Sequence, residues 1–186
     1  MNQLPKRKTV RHQNHTYNCG MFFVTICTES KKCLLSRIVG TGNLGNPQNS
    51  HSLVSGNPYL DGPRVELMPY GETAKKYIEQ LNNFYDHIKV DSYVIMANHI
   101  HLLLFVPWSE QFRTIVPTGV NSHVSRFVST FKRFCNKEYG VNIWQPRSFD
   151  HIIRNQADYQ KHKEYIYNNP RNWSLDKLNP IPDNEE

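Results

Sequence analysis

Residues 99–106, HIHLLLFV, constrain this chain more than any other stretch. Strand side chains alternate between faces, so His99, His101, Leu103 and Phe105 share one side, and Ile100, Leu102, Leu104 and Val106 the other. A strand apolar on both sides must be covered on both sides, which makes it a central strand of a sheet rather than an edge. Just upstream, Lys89 to Met96 is a second β-rich run, separated by Ala97 and Asn98. A two-residue link ending in Asn, which tolerates a positive φ, predicts a hairpin.

The remaining periodic segments supply that sheet's neighbours. Met21 to Cys27, MFFVTIC, is aromatic and β-branched and reads as a strand, and Phe149 to Arg154 as a short one. Tyr70 to Ile88 places Ala74, Tyr77, Ile78, Leu81, Phe84, Tyr85 and Ile88 on one helical stripe. Asn121 to Tyr139 does the same with Val124, Phe127, Val128, Phe131 and Phe134. Ala157 to Asn169 forms a last helix, stopped because Pro170 disfavours helical backbone at the residue before it. The order β-α-β-β-α-β predicts an α+β fold of ferredoxin-like type: an antiparallel sheet with helices on one face, plus an extra C-terminal helix.

At 186 residues, one domain is expected. A basic arm occupies residues 1–16 and the domain 17–173, interrupted at 40–63 by a surface excursion holding five of the nine glycines; residues 174–186 form an acidic tail. Lys and Arg total 22 against 16 Asp and Glu, a net charge of +6 that argues for an anionic partner. The chain lacks an apolar run near the ~20 residues that span a bilayer, and the polar residues after the basic start do not resemble an export signal. Its four cysteines have neither CxxC spacing nor a disulfide pattern. A reducing cytoplasm without membrane contact is therefore expected. The phosphate-cradling GxxxxGK[ST] loop is absent, so nucleotide hydrolysis of that kind is excluded.

Two polar rings at the start of a central strand need partners. His99 and His101 are either core histidines satisfied by carbonyls or buried water, or two ligands of a divalent metal completed from elsewhere. On the last helix Tyr165 and Asn169 are i and i+4, so a phenol and a carboxamide project together while Tyr167 points away. Taken alone, a tyrosine on such a helix is more often packing than chemistry.

The order HIH, then WQPRSF at 144–149, then YIYNNPRNW at 165–173, with FVTICTES at 23–30 and YVIMANHIHLLL at 93–104, resembles the single-tyrosine HUH transposases of the insertion-sequence-200-like type, more narrowly the REP-associated tyrosine transposases. The similarity covers residues 17–173 apart from the excursion. Ala97 stands where the family has proline, and some relatives carry Gln at the position of Asn169. The resemblance implies that Tyr165 is the nucleophile and that His99, His101 and Asn169 hold a metal. The expected activity is nicking and joining of single-stranded or hairpin DNA through a 5′-phosphotyrosine. Two histidines and a carboxamide leave open positions for phosphate and water, which suits Mg²⁺ or Mn²⁺.

Lys6, Arg7, Lys8 and Arg11 on the arm, with Arg126, Lys132, Arg133, Arg147, Arg154 and Arg171, and with Tyr139, Trp144, Phe149 and Trp173 interleaved, are candidate DNA contacts. Each basic residue has the plainer alternative of a solvated face. One tyrosine makes one cut at a time, so excision with insertion would favour a homodimer, although the resemblance permits a monomer. Two other functions fit the same residues: a non-catalytic nucleic-acid-binding module, and a metal phosphodiesterase that activates water.

Overall fold

The computed structural model describes residues 19–40, 63–108 and 122–180. The basic arm and most of the glycine-rich excursion lie outside the described residues. Four strands form one antiparallel sheet: β1 (Gly20–Cys27), β4 (Lys89–Ile95), β5 (His99–Val106) and β6 (Phe149–Ile153), in the order β4-β5-β1-β6. A separate hairpin pairs β2 (Ser36–Val39) with β3 (Arg64–Leu67). The α-helices among the described residues are α1 (Pro69–Phe84), α2 (His123–Tyr139) and α3 (Gln156–Asn168). The fold is α+β, and β5 is central as its two apolar faces require.

Alternation along β1 and β5 divides the molecule. On one face Phe22, Val24, Ile26, Ile100, Leu102 and Leu104 pack with Ala74, Ile78 and Leu81 of α1 and Val124, Phe127, Val128 and Phe131 of α2. On the opposite face, among the described residues, Phe23, Leu103 and Ile166 of α3 form a small buried apolar cluster. Two helices thus share one side, as the element order predicts, and the third covers the histidine side.

Local chemistry sets the helix ends. Ser122 Oγ accepts from Ser125 N–H at 3.1 Å to start α2, and Gly140 closes it at φ 70°, where a Cβ would be strained. Asn155 Oδ1 accepts from Asp158 N–H at 2.9 Å to start α3. α1 stops at Phe84 rather than reaching Ile88 as its stripe predicts. Lys89 Nζ donates to the carbonyls of Asn82 and Tyr85 at 3.2 and 3.0 Å, and Asn82 Oδ1 accepts from Val90 N–H at 2.7 Å. The last helical carbonyls are therefore served by the start of β4, and Ile88 reaches the core from the non-helical link before that strand.

The β2–β3 hairpin escapes sequence analysis because each strand has only four residues and no periodic signal. It is tied to the main body through Ser36 Oγ, which donates to the Ile95 carbonyl at 3.1 Å. Gly71 in α1 lies against this junction: an added Cβ would stand 2.0 Å from the Leu35 carbonyl oxygen, an approach only glycine permits.

Candidate active site

The β4–β5 turn delivers the first two site residues. Met96 N–H donates to the His99 carbonyl at 2.8 Å, closing the link over Ala97 and Asn98. The expected positive φ at Asn98 is not adopted; among the described non-glycine residues only Ser30 and Lys31 have one. Asn98 is useful through its side chain instead. Its Nδ2 donates to the carbonyls of Lys31 and Leu178 at 3.1 and 2.7 Å, and its Oδ1 lies 2.9 Å from His99 Nδ1. One carboxamide joins three distant segments and orients a histidine.

His101 is oriented from β1, where Thr25 is its register partner and Thr25 Oγ1 lies 2.9 Å from its Nδ1. The imidazoles of His99 and His101 are side by side, with ring centroids 4.4 Å apart. Both are buried, at 0% and 3% exposure. With each Nδ1 engaged, each Nε2 is left without a hydrogen-bond partner, and so is the buried Oδ1 of Asn169. Buried polar atoms are seldom orphaned without a reason. Here the three are two imidazole nitrogens and an amide oxygen, a donor set suited to a divalent cation. Plain core packing leaves them unexplained.

Burial also holds the histidines in the ligating form. It pushes His99 down to about 4, against the opposing influence of the Asp176 carboxylate and the Asn169 carboxamide. It pushes His101 down to about 2, helped by the neighbouring His99 and His162. Both rings are neutral near pH 7 and can donate a lone pair.

α3 brings the phenol. Asn169, the C-cap, keeps helical backbone angles, so Tyr165 and Asn169 stay on one face as their spacing predicts. The Tyr165 ring meets His101 edge-on at 5.2 Å and Phe23 at 5.9 Å, and the residue is 41% exposed. Its hydroxyl donates to Asp176 Oδ2 at 3.4 Å. Asn169 Nδ2 donates to the same oxygen at 3.3 Å, and His99 Nε2 lies 4.0 Å from it. Burial raises the Tyr165 pKa, and the Asp176 charge raises it further. The phenol keeps its proton unless something takes it.

Asp176 is the site residue that sequence analysis missed. It lies in the stretch assigned to an acidic tail, yet residues 173–175 form a 3-10 turn and Leu178 N–H donates to Asp176 Oδ1 at 2.7 Å. That turn aims the carboxylate inward, where it forms with His99 and His101 a group able to hold a metal ion. An acidic residue three positions after Trp173, close to the YIYNNPRNW segment, was the available signal.

The expected DNA contacts divide. Arg147 and Arg154 are exposed near the two ends of β6, and Arg171 is exposed just past α3. Arg126 and Arg133 are exposed on α2, whose apolar side packs on the other face. Lys132 donates to the carbonyls of Gln145 and Arg147 at 2.7 and 3.1 Å, and burial lowers it to about 8. It therefore ties the 145–147 loop. Lys6, Arg7, Lys8 and Arg11 lie outside the described residues. Among the rings, Trp144 is a core residue at 1% exposure and unavailable for stacking on a base, contrary to expectation, because the Thr28–Trp144 bridge draws it inward. Tyr139 donates to the Tyr70 carbonyl, Phe149 is 59% exposed, and Trp173 lies over His99 at 6.0 Å.

Among the described residues, no helix is long and apolar enough to cross a membrane. No family model matches the chain. An uncharacterised protein of Haemophilus influenzae is 24% identical over 188 residues, covering 92% of each chain. A REP-associated tyrosine transposase of Escherichia coli K12 is 34% identical over 82 residues, 44% of this chain and 44% of that one; the match thus spans less than half of that relative. A solved REP-associated tyrosine transposase, bound in its own structure to a REP hairpin, has a similar fold with a TM-score of 0.54 at 19% identity, covering 94% of this chain and 81% of the other. With sequence similarity over part of its length and a shared fold over nearly all of it, this chain is related to the REP-associated tyrosine transposases.

Proposed function

We propose that this protein cuts and rejoins single-stranded or hairpin DNA by transesterification through Tyr165. The observation that carries this reading is the convergence of one partly exposed phenol, two imidazole nitrogens without hydrogen-bond partners and one carboxamide on the Asp176 carboxylate.

His99, His101 and Asn169 would hold Mg²⁺ or Mn²⁺. When bound, the ion supplies Lewis-acid neutralisation of phosphate charge. The Tyr165 oxygen attacks phosphorus and forms a phosphotyrosine bond as the bond to the 3′ oxygen breaks, and that oxygen takes up a proton from water to leave a free 3′-hydroxyl. One phosphoester replaces another, so bond energy is retained for rejoining and nucleotide hydrolysis is unnecessary. Asp176 Oδ2, within hydrogen-bond reach of the phenol, accepts its proton. The exposed Arg147, Arg154 and Arg171 neutralise backbone phosphates, and Phe149 offers a face on which a base can stack.

The test is incubation of the full chain with end-labelled single-stranded and hairpin DNA in Mn²⁺ or Mg²⁺. A covalent protein–DNA adduct is expected, and Tyr165→Phe is expected to abolish it. Binding without cleavage would reduce the protein to a nucleic-acid-binding module. Cleavage that survives Tyr165→Phe would make water the nucleophile.

A further inference from the structure

Beside the nucleophile, a second constellation of metal-ligating side chains lies between β6 and α3. His151 Nε2 is 3.0 Å from Asp158 Oδ2, and His162 Nδ1 is 3.1 Å from Asp158 Oδ1. One ligand atom from each of the three residues lies within 4.8 Å of the other two. The imidazoles are stacked with centroids 4.9 Å apart, and all three side chains are partly open to solvent, at 38%, 20% and 18% for His151, Asp158 and His162. An entering ion can therefore reach them.

From this geometry we infer that His151, Asp158 and His162 form a second site for a transition-metal ion such as Zn²⁺, distinct from the His99–His101 centre, which clamps α3 to the sheet. Ligands held by a tetrahedral zinc at bonds of about 2.0–2.1 Å lie roughly 3.3 Å from one another. The imidazole–carboxylate separations here need to open by only a few tenths of an ångström to admit one. His162 Nδ1 also lies 2.8 Å from the Asp158 main-chain carbonyl, a hydrogen bond that ion binding would replace with a bond from its lone pair. Two histidines and one carboxylate favour Zn²⁺ or its neighbours over Mg²⁺ and leave a position for water.

The clamp falls where the fold is thinnest. Ile166 is the only buried residue of α3, so little apolar area holds this helix against the sheet. His151 belongs to β6, whereas Asp158 and His162 are one turn apart on α3, so a shared ion joins the two elements. The His162 ring also meets Phe23, tilted, with centroids 4.7 Å apart, and Phe23 touches both His101 and Tyr165. Occupancy would thus set the position of the helix that carries the phenol. This consequence for nicking rests on the function proposed above; the metal site itself does not.

The experiment titrates Co²⁺, with its visible ligand-field absorption, and Zn²⁺ into metal-free full-length protein. A His99→Ala/His101→Ala double variant removes the first centre. In that background one Co²⁺ ion is expected to bind with a visible spectrum, and Zn²⁺ is expected to raise the melting temperature. Adding His151→Ala should weaken binding at least about tenfold and erase the thermal shift, and the near-isosteric Asp158→Asn should do the same. Circular dichroism checks that each variant is folded, and Asp158→Asn decides the matter if His151→Ala is not. Absence of binding in the double variant, or binding unaffected by Asp158→Asn, overturns the site. If wild-type protein forms no DNA adduct yet the Co²⁺ signal persists, the proposed nicking activity fails and the second site stands.

Discussion

The two faces of the sheet are built on opposite terms. Beneath α1 and α2 lies a continuous apolar cluster extending from Phe22 to Trp144, whereas beneath α3 the buried apolar residues are Phe23, Leu103 and Ile166, with buried imidazoles and a carboxamide beside them. The strands are shared, so the difference comes from side-chain alternation alone. One face carries the burial that stabilises the fold; the other holds polar and reactive atoms and depends on hydrogen bonds with Asn98, Thr25 and Asp176 to arrange them. Stability and chemistry are thereby separated by the thickness of one sheet.

The sharpest way to break this comparison is a pair of substitutions, one per face. Tyr165→Phe is expected to eliminate the covalent DNA adduct while leaving the melting temperature nearly unchanged, since the lost hydroxyl bonds Asp176 at a long 3.4 Å from a partly exposed position. Phe131→Ala, at a site with 0% exposure on the other face, should cost about 3–5 kcal/mol in urea unfolding while retaining adduct formation below the lowered melting point. Loss of the adduct in well-folded Phe131→Ala protein would show that the faces are not independent.

Acid gives a smaller effect of definite sign. His99 and His101 have pKa values depressed to about 4 and about 2 when folded, against about 6.5 when unfolded. The unfolded chain therefore takes up protons first, and stability present above pH 6.5 is lost as pH falls below it. Between pH 7 and pH 5 each ring should cost metal-free protein about 2 kcal/mol. Denaturation at the two pH values, with and without His101→Gln, measures this, and an unchanged pH dependence in the variant would contradict it. The smallest shift is expected in the titration of the phenol itself: besides removing the proton acceptor for adduct formation, Asp176→Asn removes the negative charge that helps raise the Tyr165 phenol. NMR titration of ring-labelled tyrosine should show the Tyr165 pKa moving down toward the usual value of about 10; a constant or higher value would separate Asp176 from the phenol.

Much of the site was legible locally. The alternation of HIHLLLFV puts both histidines on one side of a central strand, and helical spacing puts Tyr165 above Asn169. Asp176 was hidden because its role depends on a turn that reverses the chain against the Asn98 loop, with Asn98 donating to the Leu178 carbonyl. Lys132 and Trp144 read as exposed contacts because a basic or aromatic residue near a loop has that prior, yet each is drawn inward by backbone partners far away in sequence. The short β2–β3 pair was silent because four residues cannot display a period.

The amino-acid order by itself determined the sheet's central strand, the helical stripes and the pairing of imidazoles and of phenol with carboxamide, because these follow from repeats of two and 3.6 residues acting over short distances. Tertiary structure alone decided that α3 lies across the histidine face, that Asp176 meets Tyr165, and that His151 meets Asp158 and His162. Those meetings depend on where separate elements come to rest against one another, and that is set by packing and backbone hydrogen bonds among residues far apart in the chain.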